Sequence, residues 1–188
     1  MSKFLDMDGL EYYTSRFKPE LVDIVDSGAK NTLNWVSAEY VTKNNATYTE
    51  TDTSIVVNCG SGAQASSVIY SIGVYSAGNY VFDFTLSGSV IVDDIAKVYV
   101  STSWQPSTAI ASIELTTNKK YSLPFSWQGG KIFLKFFPSD NSVVSSNSIT
   151  LTNFMLCTQA AWNISHTFVP YRNGFASNEE IYNCFQNA

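Results

Sequence analysis

The long middle of the chain, Asn31–Val169, constrains the fold most, because apolar and polar residues alternate through it in short runs. In Tyr80-Val-Phe-Asp-Phe-Thr-Leu86, every second residue is aromatic or aliphatic. A period of two is that of a β-strand with one buried face. Ser, Gly, Asn and Pro mark the gaps between runs. The pattern predicts strands at Trp35–Val41, Thr47–Glu50, Ser54–Cys59, Ser67–Tyr75, Tyr80–Leu86, Ala96–Ser101, Ile110–Leu115, Lys120–Ser126, Lys131–Phe137 and Ser148–Cys157.

These strands follow one another without intervening helices. The sequence therefore predicts an all-β fold, an antiparallel jelly-roll β-sandwich with short N- and C-terminal helices. A length of 188 residues suits one domain with appendages. We divide the chain into an N-terminal helical attachment segment at 1–29, a jelly-roll sandwich at 30–172 and a C-terminal short helix at 173–188.

Two capped helices are predicted at the ends of the chain. Asp8-Gly-Leu-Glu11 is typical of a helix start within Leu5–Ser27, and Ser177-Asn-Glu-Glu180 is typical of one within Ser177–Asn187. The first helix is too short to be stable alone, so we expect it to dock on the sandwich, on a scaffold or on its own copies. Its candidate surface for oligomerisation or scaffold docking comprises Leu10, Tyr13, Phe17, Leu21 and Ile24.

Charge and hydropathy exclude two classes of partner. Charged residues are only 14% of the chain, the net charge is −5, and the cationic residues are scattered. Nucleic-acid binding needs clustered Lys and Arg, so no nucleic-acid partner is expected. No apolar run reaches the ~20 residues that span a bilayer, so no membrane insertion is expected.

Candidate catalytic groups are scarce. A Ser-His-Asp or Cys-His hydrolase would have to centre on His166, the single histidine, and we interpret this residue as structural. Asp83 lies opposite the apolar face of its strand and is expected to face solvent. A glycosidase needs two placed carboxylates, and the sequence brings no two of its candidates together: Asp83, Asp93, Asp94, Glu114 and Asp140. We predict no enzyme and no catalytic residue, and keep a glycan-processing enzyme as the disfavoured alternative.

Cysteines and acidic loops give no clear cofactor site. The three cysteines, Cys59, Cys157 and Cys184, are odd in number and lack CxxC spacing. We interpret Cys59 and Cys157 as buried reduced thiols, and leave a single disulfide between two of the three open. No cofactor or metal site is predicted. A structural calcium ion stays open without a defined place, with oxygen ligands available from Asp52, Asp93, Asp94 and Asp140.

Aromatic residues make up 14% of the chain, and sugars are bound by aromatic faces beside amide and carboxyl groups. The pair Trp-Gln occurs twice, in Ser103-Trp-Gln-Pro106 and in Ser126-Trp-Gln-Gly129. The alternative interpretation places both tryptophans at the ends of the sandwich core. The candidate glycan-binding residues are Trp104, Gln105, Trp127, Gln128, Tyr75 and Tyr121.

Motifs at both ends resemble one group of proteins. Phe4-Leu-Asp-Met-Asp-Gly-Leu-Glu-Tyr-Tyr13 resembles the opening helix of many phage and prophage tail and baseplate proteins. Asn153-Phe-Met-Leu-Cys157 followed by Phe168-Val-Pro-Tyr171 resembles the end of carbohydrate-binding-like jelly rolls in those proteins. Ala29-Lys-Asn-Thr-Leu33 resembles their beginning, with Thr32 between an asparagine and a leucine that are usually adjacent. These are core positions, so the resemblance brings no binding residue with it.

The resemblance implies a non-enzymatic structural protein of a phage or prophage tail or baseplate. It implies a location in the virion after assembly in the bacterial cytoplasm, other tail or baseplate proteins as partners, and a homo-oligomer, with a trimer preferred. It also implies a host-recognition or accessory module. Our leading hypothesis is that the ligand of this module is bacterial surface polysaccharide. The alternative is a purely structural virion spacer or decoration protein with no ligand.

Overall fold

The computed structural model describes residues 31–62, 65–88, 95–105, 109–140, 145–164, 166, 168 and 171. These residues form ten strands, one short 3-10 helix at Trp35–Ser37 and one α-helix, α1, at Gln159–Ile164. The strands are β1 (Glu39–Asn44), β2 (Ala46–Thr51), β3 (Ser54–Cys59), β4 (Ser66–Tyr75), β5 (Gly78–Ser87), β6 (Ala96–Ser101), β7 (Ala109–Leu115), β8 (Lys120–Trp127), β9 (Gly130–Ser139) and β10 (Ser148–Thr158).

The strands form two five-stranded sheets. Sheet A has the order β1-β4-β9-β6-β7 and sheet B has the order β2-β3-β10-β5-β8. All neighbours are antiparallel, and β3–β10, β4–β9, β5–β8 and β6–β7 form nested pairs. Nested pairing of eight strands across two sheets is the arrangement of a jelly roll. The predicted all-β fold, an antiparallel jelly-roll β-sandwich, is therefore confirmed.

The alternation in the sequence explains how the sheets close over a core. In β8, Tyr121, Leu123, Phe125 and Trp127 are buried, while the residues between them are exposed or half-buried. Inward-facing residues from both sheets form one large apolar cluster between them, as the two inner faces of a sandwich do. The opposite face of each strand is left to form the two outer faces of the molecule.

The predicted strands agree with the observed ones except at the start. Trp35–Val41 was predicted as a strand, but Trp35–Ser37 is a 3-10 helix and β1 begins at Glu39. The Trp35 ring is buried against Tyr70 and Phe154, with ring centres 4.9 and 4.5 Å away. The turn that inserts this ring into the core displaces the strand. Helix α1 is not among the predicted elements. The division of the chain into segments 1–29, 30–172 and 173–188 stays a prediction.

The predicted terminal helices lie outside the described residues. This also holds for the docking surface proposed on the first of them, which comprises Leu10, Tyr13, Phe17, Leu21 and Ile24.

The start of the described chain is fastened to the last strand. The Asn31 side chain donates to the Phe154 carbonyl (3.1 Å) and accepts the Leu156 amide (3.1 Å), and Thr32 N donates to the Leu156 carbonyl (2.7 Å). The sequence motifs around Asn31 and Phe154 therefore contact each other, 123 residues apart in the chain.

Helix α1 covers part of the outer face of sheet B, where Trp162 and Phe168 pack on Val81, Met155 and Cys157. Asp83 lies on this face and is only 1% exposed, so the expectation that it faces solvent is wrong. Trp162 covers its carboxylate, which we describe next.

The Asp83 carboxylate has two partners on the covered face. Both of its oxygens lie 3.2 Å from Trp162 Nε1, and one lies 2.9 Å from Lys120 Nζ. His166 is exposed and stacks on Trp162, with ring centres 3.8 Å apart. This histidine therefore contacts the residue that covers Asp83.

Candidate functional site

The outer face of sheet A holds the candidate site. Because Val68 and Tyr70 point into the core, the alternate residues of β4 point outward. Strand register then places Thr42, Ile69, Lys135 and Tyr99 in one row across β1, β4, β9 and β6. Ile69 and Lys135 are buried although they face away from the core, so this face is partly covered.

A short loop after β6 contributes to that cover. Ser101 Oγ donates to the Ser103 carbonyl (2.9 Å), and Ser103 Oγ accepts a hydrogen bond from the main-chain N–H of Gln105 (3.0 Å). Lys135 Nζ donates to the Gln105 carbonyl from the strand beneath. These bonds fold residues 102–105 back over sheet A and place Trp104 above the face.

Trp104 forms a wall of a groove of about 370 Å³. Its side chain is 53% exposed, which is high for a large apolar ring. The volume is within the range of small-ligand sites. The residues that line the groove come from β1, β4, β6, β9 and three loops: Thr42, Lys43, Asn44, Ala65, Ser67, Ile69, Tyr99, Trp104, Phe137 and Asp140.

Asp140 is the charged acceptor of the groove. Its Oδ2 accepts the Tyr99 hydroxyl (2.7 Å) and the Lys97 ammonium (2.9 Å), and Lys97 also lies 3.8 Å from Glu114. Burial, the hydrogen bond to Asp140 and the nearby negative charges raise the pKa of Tyr99 well above its ordinary value. Tyr99 is therefore a fixed donor, and Asp140 Oδ1 makes no hydrogen bond within the described part of the chain.

Neutral polar groups complete the site. Asn44 Nδ2 donates to the Ala65 carbonyl (2.8 Å), which orients the amide and leaves its oxygen as an acceptor. Thr42 and Ser67 add hydroxyl groups, and Phe137 contributes an apolar floor. An exposed aromatic face beside oriented acceptors and hydroxyls can bind a polyhydroxylated ring.

Of the predicted glycan-binding residues, only Trp104 lines this groove. Gln105 is exposed, and its main-chain carbonyl is bound by Lys135. Gln128 is also exposed, but it follows β8 of sheet B. The structure therefore does not bring the two Trp-Gln pairs together in the groove.

The other predicted aromatic residues belong to the interior. Trp127 is 3% exposed and Tyr121 is 4% exposed, so the expectation that they are accessible is wrong. Trp127 ends a strand with its ring in the core, as the alternative interpretation had it. The Tyr121 hydroxyl accepts the amides of Thr116 and Thr117 at 2.9 and 3.1 Å, which fixes the turn before β8.

Tyr75 is half-buried against the core. Its hydroxyl donates to the Thr32 carbonyl (3.2 Å), and burial raises its pKa to about 12. The side chain therefore links β4 to the start of the described chain, and its hydroxyl is already engaged there.

The remaining candidates for chemistry are dispersed. Asp83 and Asp140 lie on the outer faces of opposite sheets, and Asp93 and Asp94 lie outside the described residues. Cys59 and Cys157 are free thiols; Cys157 is buried and Cys59 is half-buried. Within the described ranges, no three His, Cys, Asp or Glu residues cluster as metal ligands. The helices of those ranges are all too short and polar to cross a membrane.

Sequence reasoning missed most of the groove. Tyr99, Asn44 and Lys135 were not proposed as site residues, and Asp140 was considered only as a carboxylate or calcium ligand. The alternation of β9 held a usable signal: with Ile132, Leu134 and Phe136 inward, the opposite face carries Lys135 and Phe137. A large apolar residue on an outward face indicates that something covers it.

Comparisons with known proteins give likenesses in structure only. No family model matches the chain, and no curated protein matches it in sequence. A family 29 carbohydrate-binding module is 13% identical, with a TM-score of 0.44 over 70% of this chain and 85% of that one. CBM86, a low-affinity xylan-binding module from Roseburia intestinalis, is 12% identical, with a TM-score of 0.49 over 68% and 94%. TmCBM27, a mannan-recognising module, is 7% identical, with a TM-score of 0.43 over 66% and 90%.

Proposed function

We propose that this protein is a non-enzymatic module that binds a glycan in the groove of sheet A. One observation carries the proposal: the half-exposed ring of Trp104 stands over a groove that also presents Asp140 and Asn44. Scattered exposed apolar residues are normal on protein surfaces. A tryptophan beside convergent polar groups is typical of a ligand site.

In the proposed mechanism, a sugar ring lies with its C–H face on the Trp104 indole. Its hydroxyls donate to Asp140 Oδ1 and to the Asn44 side-chain oxygen, and accept from the Thr42 and Ser67 hydroxyls. Lys97 and Tyr99 hold the Asp140 carboxylate at 2.9 and 2.7 Å, so the acceptor is oriented before the ligand binds. A site pre-organised in this way loses little conformational entropy on binding.

We further propose, from the sequence motifs alone, that this module belongs to a phage or prophage tail or baseplate. It would recognise bacterial surface polysaccharide from the virion, as a homotrimer or beside other tail proteins. Several weak sites on one particle would then act with avidity. The alternative is a virion spacer without a ligand. The glycan array described next distinguishes the two, because a spacer would bind no polysaccharide.

The experiment is a glycan array of bacterial surface polysaccharides, probed with the full chain and with Trp104→Ala. We expect at least one polysaccharide to bind the full chain, and Trp104→Ala to lose about tenfold or more in affinity, as interface hot spots do. Tyr40→Ala is the matched control, because Tyr40 is similarly exposed but lies outside the groove. An array without binders, or equal binding by both variants, would overturn the glycan-binding proposal.

Light scattering on the full chain tests the assembly proposal. We expect the mass of a trimer for the full chain and of a monomer for Phe17→Asp, because a carboxylate would disrupt an apolar helix seam. A monomeric full chain at all concentrations contradicts the proposed trimer and leaves docking of the helix on its own sandwich or on a larger scaffold.

A further inference from the structure

Lys135 is the most unusual charged residue of the described chain. It lies in the middle of β9, on the outer face of sheet A, and its relative exposure is 0%. A lysine is rarely buried to this extent without a charged partner. Its amine donates instead to the main-chain carbonyl of Gln105, in the loop that carries Trp104. Residues 102–105 therefore provide both the cover of this lysine and the aromatic wall of the groove.

None of the described groups around Lys135 forms an ion pair with it. Tyr99, opposite on β6, gives its hydroxyl to Asp140, and Ile69, opposite on β4, is apolar. On the same face, Lys131 pairs with Glu39 at 3.4 Å, and Lys97 pairs with Asp140 and Glu114. Gln105, whose main-chain carbonyl binds the amine, and its neighbour Trp104 have no ionisable side chain.

We propose that Lys135 is the positioning residue of the groove: through the Gln105 carbonyl it couples the placement of Trp104 to a proton on a buried amine. This inference rests on the proposed function for its consequence in ligand binding, but not for its geometry. The loop is the only cover that binds this amine among the described residues, so a shift of the loop changes both the hydration of Lys135 and the position of the indole.

The direction of the coupling follows from burial. Desolvation lowers the pKa of Lys135 from 10.5 to about 8. With the loop open, water would restore the ordinary value, so the open loop binds the proton more tightly than the closed one. By linkage, the closed placement of Trp104 gains stability as the pH rises from about 8 towards 10.5, and loses it as the pH falls back through that window.

The test uses the full chain labelled with 5-fluorotryptophan and needs no ligand. The four tryptophans give four ¹⁹F signals, and Trp104→Phe assigns the one of interest. We expect the Trp104 signal to move with a midpoint near pH 8, and to lose that midpoint in Lys135→Met. Lys131→Met is the matched control, because Lys131 is an exposed lysine on the same strand and face, and it should keep the midpoint.

A second measurement covers the case in which Lys135→Met does not fold. In the wild-type chain labelled with ε-¹³C-lysine, one lysine signal should titrate with the same midpoint as Trp104. A Trp104 signal that stays flat from pH 6.5 to 9.5, a midpoint that persists in Lys135→Met, or lysines that all titrate near 10.5 would each overturn the inference. An empty glycan array alongside a clear midpoint would instead remove the proposed function and leave this coupling in place.

Discussion

On each outer face of the sandwich, a segment that carries a tryptophan covers a buried charged residue, but the two tryptophans differ in exposure. On sheet A, the loop with Trp104 lies over the buried cation of Lys135. On sheet B, α1 places Trp162 over the buried anion of Asp83. Trp162 donates its indole N–H to the charge it covers and is half-buried, whereas the Trp104 ring is more than half exposed and contacts its lysine only through the neighbouring carbonyl.

The difference separates a structural tryptophan from a candidate binding tryptophan. Both parts of the Trp162 side chain are engaged within the fold. Its indole N–H donates to Asp83, and its ring packs in a small apolar cluster with Met155 and Cys157. Trp104 keeps a free face over a groove with oriented acceptors. Trp162 should therefore matter for stability, and Trp104 for binding.

The largest expected effect is a loss of stability on the outer face of sheet B, which Trp162 covers. Trp162→Ala removes the N–H donor from buried Asp83 and opens the cluster around Met155, so we expect a loss of about 3 kcal/mol in the free energy of unfolding. Urea unfolding measures it. Trp104→Ala is the control, because its ring is mostly in solvent, and it should change stability by less than about 0.5 kcal/mol. Equal losses in both variants would remove the distinction between the two faces.

The second effect is a dependence of stability on pH that arises from Lys135 on the outer face of sheet A. The pKa of Lys135 is lowered to about 8 in the folded chain, so between pH 8 and 10.5 the unfolded chain binds more protons than the folded one. Stability should therefore rise with pH in that window, by about 1–2 kcal/mol from pH 7.5 to 9.5. Urea unfolding of wild type and Lys135→Met at both pH values isolates this contribution. A wild-type difference no larger than that of the variant would contradict it.

The smallest expected effect concerns the polar side of the groove. Asp140→Asn keeps the shape of the side chain but removes the charge that holds Tyr99 and Lys97, so glycan affinity should fall by about three- to tenfold. Titration calorimetry with the best array hit measures it. Glu114→Gln is the control, because its exposed contact with Lys97 at 3.8 Å is of a kind that contributes little. A larger loss in Glu114→Gln would move the acceptor from Asp140 to Glu114.

The sequence was sufficient for the fold because the alternation in runs such as Tyr80–Leu86 reports directly on which face is buried. It located Ser54–Cys59 and Ala96–Ser101 to the residue. It could not show which aromatic residues are exposed and which are buried. Trp104 and Trp127 both precede a glutamine beside a predicted turn, but the first is in a loop and the second is the last inward residue of a strand.

The groove was beyond sequence reasoning because its residues are far apart in the chain. Asn44, Tyr99 and Asp140 meet only when the jelly-roll order sets β1, β4, β9 and β6 side by side. The burial of Asp83 was missed for a related reason: α1, which covers it, begins 76 residues away in the chain and has no acidic residue in its first turn. Its cap is the last residue of β10, Thr158, whose hydroxyl accepts the Ala161 N–H at 3.2 Å.

Binding in the groove is tested most directly by titrating the ¹⁵N-labelled full chain with the best array hit and following the tryptophan indole N–H signals. We expect the Trp104 signal to move most, while the signals of Trp162, bound to Asp83, and Trp127, buried in the core, stay in place. Movement of Trp162 or Trp127 with an unchanged Trp104 signal would place the ligand away from the groove and contradict glycan binding at Trp104.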